Sequence, residues 1–67
     1  MEIASLQQFL QEEHDRLTLL RSELLARTQE KSFLLESEQM RFLMRLQLQV
    51  MTSYRFILHE RIKLLKK

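Results

Sequence analysis

Sixty-seven residues with a net charge of +2 and no cysteine allow one small domain, with neither a disulfide nor a thiolate metal site to staple it. The chain also lacks glycine, proline and asparagine, which excludes a glycine-rich phosphate loop and removes the usual turn residues. A chain of this size buries too little surface to be very stable alone, so oligomerisation or docking on a partner is the expected device.

No signal peptide is predicted, because Met1 to Leu10 has neither a basic start nor a long apolar run. The most apolar stretch, residues 42–58, is interrupted by Arg45, Gln47, Gln49 and Arg55, so no membrane span is predicted either. The expected setting is intracellular, in the cytoplasm, which the missing thiols fit. Charge is uneven: residues 1–33 hold six acids and four bases, residues 34–67 three acids and seven bases. Halves of −2 and +4 suit antiparallel pairing with each other, or an acidic partner.

In the first half Ile3, Leu10, Leu17 and Leu24 recur every seven residues, with Leu6 and Leu20 between them. That is a heptad seam and predicts a helix over about 3–28, with polar Glu13 and Arg27 at the two remaining seam positions. Ser5 and Gln8 match a capping box, and Glu12 with Arg16 and Glu23 with Arg27 have the acid-first i, i+4 order that supports a helix.

The polar run Thr28 to Ser32 is the candidate turn, with Ser32 capping a second helix over about 33–66. Phe33, Leu34 and Leu35 follow at once, as if helix continued, so one continuous coiled-coil helix is the alternative. A hairpin folded near residue 31 or 32 brings Glu23 beside Arg41 and Glu2 beside Arg61.

The second half carries an apolar doublet every seven residues: Leu43 and Met44, Val50 and Met51, Ile57 and Leu58, Leu64 and Leu65. Met40, Leu48, Tyr54 and Ile62 lie beside them, and Phe42, Leu46 and Phe56 widen the stripe. Residues 40–65 have fifteen apolar side chains of 26, against eleven of 26 for residues 3–28. A helix apolar over so much of its circumference is normally central in an assembly.

Chemistry-bearing clusters are weak. Glu12, Glu13, His14 and Asp15 are adjacent and so point in different directions, and the residues three before His14 and His59 are Gln11 and Phe56, not the Glu of a helical di-iron site. No metal, cofactor or catalytic site is predicted. Arg41, Arg45, Thr52, His59, Lys63 and Lys66 lie along one side and are the candidate anion or nucleic-acid contacts. The tail from Arg55 to Lys67 is basic and amphipathic, and Lys63, Lys66 and Lys67 suit a helix C-terminus.

The sequence therefore predicts an all-α protein, a helical hairpin assembling into an antiparallel four-helix bundle or coiled-coil oligomer. Its expected role is non-enzymatic: an adaptor, assembly factor, chaperone or regulator that self-associates or co-folds with a helical partner. The interface expected is Met40, Leu43, Met44, Val50, Met51, Tyr54, Ile57, Leu58, Ile62, Leu64 and Leu65, with Ile3, Leu6, Leu10, Leu17, Leu20 and Leu24 from the first helix. Two alternatives remain open at this point: a hairpin dimer of the Rop type whose second helix contacts nucleic acid, and binding of the basic tail to a membrane surface.

Overall fold

The heptad spacing and the missing helix breakers produce two long helices. The computed structural model describes residues 2–66. Helix α1 spans Ile3–Thr28 and α2 spans Glu38–Leu65, with a 3-10 helix, Lys31–Leu35, between them. The two helices pack antiparallel as a hairpin, 47 × 17 × 14 Å in extent.

The turn is made without any positive-φ residue. Helix α1 ends by tightening: Gln29 and Glu30 donate to the carbonyls of Ala26 and Arg27, and the Thr28 hydroxyl donates to the Leu25 carbonyl at 2.7 Å. These bonds satisfy carbonyls that a glycine cap would otherwise serve. Glu30 then goes extended (φ −79°, ψ 149°), the 3-10 turn follows, and Glu36 and Ser37 are extended again. Chain reversal thus comes from β-region residues on either side of one tight turn. Phe33 pins it, only 5% exposed, while Leu34 and Leu35 face outward. The Arg45 guanidinium lies over the Phe33 ring, 5.3 Å from its centroid, and ties the turn to the first turns of α2.

Two local expectations are corrected. The second helix begins at Glu38, not near residue 33, and its cap is Ser37, whose hydroxyl accepts from the Met40 backbone N–H at 3.1 Å. Ser32 instead donates to the Glu30 carboxylate at 3.3 Å. At the other end Glu2 occupies the N-cap position of α1 without a side-chain bond, so Ser5 and Gln8 lie inside the helix, and Gln8 donates to Glu12.

The shift of the turn moves the pairing of the helices. Arg21 Nε donates to Thr52 Oγ1 at 2.7 Å, and the His14 and His59 rings sit 6.2 Å apart. Both pairs place the midpoint of the hairpin between residues 36 and 37, about five residues later than expected. Glu23 therefore does not meet Arg41, nor Glu2 Arg61, and among the described residues no ion pair joins α1 to α2. Arg16 pairs with Glu13 at 3.6 Å in place of Glu12, and Glu23 with Arg27 is not an ion pair at all.

Leu10, Leu17, Leu58 and Ile62 form the core, with Leu6, Met51 and Leu65 packed against it. This cluster sits toward the open end of the hairpin, while Phe33 closes the other end. Among the described residues five buried apolar side chains are a small core for such a chain.

Two predictions separate these assignments. Ser37→Ala lowers stability by about 1 kcal/mol through the lost cap, whereas Ser32→Ala leaves thermal melting by circular dichroism nearly unchanged. Leu58, fully buried, costs about 2–5 kcal/mol when cut to alanine; Ile57→Ala leaves the melting of the dilute chain close to that of the parent. Equal losses within either pair contradict the assignment.

Candidate functional site

Helix α2 resolves into three tracks, each following the 3, 4, 3, 4 spacing that keeps residues on one side of a helix. The inner track is Arg41, Met44, Leu48, Met51, Arg55, Leu58, Ile62 and Leu65; every member is buried or half-buried, and Met51, Leu58, Ile62 and Leu65 share the core with α1. One residue earlier at each step runs an outer track: Met40, Leu43, Gln47, Val50, Tyr54, Ile57, Arg61 and Leu64. Every member of that track is exposed. The doublets of the sequence are thus split, with Met44, Met51, Leu58 and Leu65 turned to α1 and Leu43, Val50, Ile57 and Leu64 turned away from it.

The outer track is as apolar as the inner one, with six apolar side chains of eight. Val50 is 60% exposed, Ile57 50% and Leu64 64%. Single exposed apolar residues are ordinary, but a continuous stripe of them marks an interaction surface. Shallow grooves run beside it: Leu20, Glu23, Leu24 and Arg27 of α1 face Gln47 and Met51 across one, and Leu6 and Leu10 face Arg61, Leu64 and Leu65 across another. Phe9 and Leu20, 52% and 45% exposed, lie eleven residues apart, three turns of helix, and so project toward the same side.

The third track lies one residue after the inner one: Phe42, Arg45, Gln49, Thr52, Phe56, His59, Lys63 and Lys66. Of the six expected anion contacts, Arg45, Thr52, His59, Lys63 and Lys66 share this track, while Arg41 belongs to the inner one and its Nε is buried without a protein partner. Lys63 pairs with Glu60 at 3.4 Å and Arg45 is engaged by Phe33. A cleft of about 490 Å³ opens on this side between His14, Thr18, Thr52, Arg55, Phe56 and His59. Its hydroxyls are committed to backbone: Thr18 donates to the His14 carbonyl and Thr52 to that of Leu48. The described residues hold no group of three or more metal-ligating side chains. Lys67 lies outside the described residues.

On α1 the structure turns Leu6, Leu10, Leu17 and Leu24 toward α2 and leaves Ile3 and Leu20 exposed. Gln47, Arg61 and Phe9 were not singled out from the sequence as part of an interaction face. The 3, 4 spacing counted from Met40 would have found the first two.

A family model described as Sequestin matches residues 4–64. The chain belongs to the Sequestin family. The match takes in both helices and the turn, so the Sequestin signature spans the whole hairpin rather than one seam. No curated protein and no solved structure matches the chain. No helix among the described residues is long and apolar enough to cross a membrane.

Proposed function

We propose that this Sequestin-family chain is a non-enzymatic protein-interaction module that holds a helical partner against the outer track of α2. The observation that carries the reading is the unbroken exposed track from Met40 to Leu64, matched in spacing to the track that packs on α1. A partner helix laid on it removes apolar surface from water, worth about 1.5–3 kcal/mol for each Val, Leu or Ile fully buried. The family name denotes a protein that binds and withholds another molecule, which accords with a small adaptor, assembly factor, chaperone or regulator.

The basic side of α2 supports a nucleic-acid contact less well. Arg41 is half-buried, and Arg45 and Lys63 already have partners within the chain. Affinity for nucleic acid is built mainly from free Lys and Arg contacts to phosphates.

The test is a double substitution of exposed residues, Val50→Glu with Ile57→Glu, which leaves the inner track intact. In affinity purification from cells, the parent chain is expected to retain one protein at stoichiometric level, and the variant to lose it with an unchanged circular dichroism spectrum. Equal retention by both chains would show that the outer track is not the binding face.

A further inference from the structure

We infer that the outer track is covered by a second copy of this chain, with α1 of each hairpin laid over α2 of the other in an antiparallel four-helix bundle. This rests on the reading of the outer track as a binding face and names its occupant.

The angle between the tracks carries the argument. A one-residue offset is a rotation of about 100° around a helix, so α2 is built to touch two helices at nearly a right angle. That is the position of a helix at the corner of a four-helix bundle, which touches two neighbours along adjacent sides. Helix α1 supplies one neighbour and the hairpin contains no other. A second hairpin supplies the missing helix and closes the assembly by two-fold symmetry, whereas a single added helix leaves the opposite corner empty.

Charge selects which helix of the second copy lies there. Helix α1 has four acids and three bases, α2 two acids and five bases, for net charges of −1 and +3. Laying α2 on α2 sets +3 against +3. Laying α1 on α2 pairs opposite signs and makes every neighbouring helix antiparallel. Within one chain this complementarity is unused, since no ion pair among the described residues joins the two helices.

Register follows from symmetry. A two-fold axis parallel to the helices leaves every residue at its own height, so α1 of one copy meets α2 of the other at the levels already set by the His14 with His59 and Arg21 with Thr52 pairs. Phe9 then comes level with Leu64 of the second copy, while Glu13 and Leu20 come within one residue of the levels of Arg61 and Tyr54. Each is an apolar or opposite-charge match, and Leu20, Arg61 and Leu64 line the grooves on that side of the hairpin. The outer-track arginine thereby faces a carboxylate instead of solvent.

The native chain has no cysteine, which makes the contact directly testable. Light scattering on the purified chain is expected to give twice its 8.2 kDa mass, falling toward one chain on dilution. A chain carrying only Leu20→Cys, mixed with one carrying only Tyr54→Cys and oxidised, is expected to give a disulfide-linked pair of unlike chains. Neither alone is expected to cross-link comparably. A mass of one chain at the highest attainable concentration would overturn the proposal, while leaving retention of a foreign partner to be judged by its own experiment. Efficient cross-linking of Tyr54→Cys with itself would overturn the α1-over-α2 arrangement, because it places α2 against α2.

Discussion

A one-residue offset between two apolar heptad tracks on α2 is the constraint from which the rest of the molecule follows. Because the tracks lie about 100° apart, one helix cannot cover both, and α1 covers the inner one. Leu58 and Ile62 disappear against Leu10 and Leu17, while Ile57, next to Leu58, and Leu64, next to half-buried Leu65, remain in solvent. The exposed apolar face is thus a consequence of how the hairpin forms. Any α1 packed on the inner track leaves the outer track open, and the small core leaves the fold with reason to cover it.

Holding α1 on the inner track depends on a turn that sets the height of one helix against the other. That turn has no glycine, proline or positive φ; it relies on two extended interruptions, at Glu30 and at Glu36 with Ser37, around a single 3-10 turn anchored by Phe33. The Ser37 cap fixes where α2 begins, and the Arg45 stack on Phe33 fixes how its first turns sit. Both act on register as well as on stability. A different start for α2 would change which residues of α1 meet Leu58 and Ile62.

The existence of long helices was legible because seven-residue spacing survives without alignment or propensity arguments, while the hairpin was expected with one continuous helix as the alternative. The bounds of the turn were less so. Phe33, Leu34 and Leu35 read as an apolar helical start, yet a 3-10 turn places only one of three successive side chains inward, and Phe33 takes that place. The sequence points to Ser32 as the cap of the second helix, and only the extended backbone at Glu36 and Ser37 moves that role to Ser37. Displacing the pivot by about five residues then removed the expected meetings of Glu23 with Arg41 and Glu2 with Arg61. The doublets were visible, but their division was not: which member of each pair faces α1 depends on the azimuth of a helix that the sequence leaves unspecified. Local ion pairs were equally hard to read, since Arg16 can reach either Glu12 or Glu13 and takes the latter.

The division of the doublets is also where the account is most exposed to contradiction. Isotope-filtered nuclear Overhauser spectroscopy on an equal mixture of labelled and unlabelled chains separates contacts within a chain from contacts between chains, methyl by methyl. The methyls of Leu58 are predicted to contact Leu10 and Leu17 of their own chain only, while those of Ile57 and Leu64 show contacts to α1 of a second chain. Contacts between chains at Leu58, or their absence at both Ile57 and Leu64, would contradict the assignment of one track to the hairpin and the other to its copy.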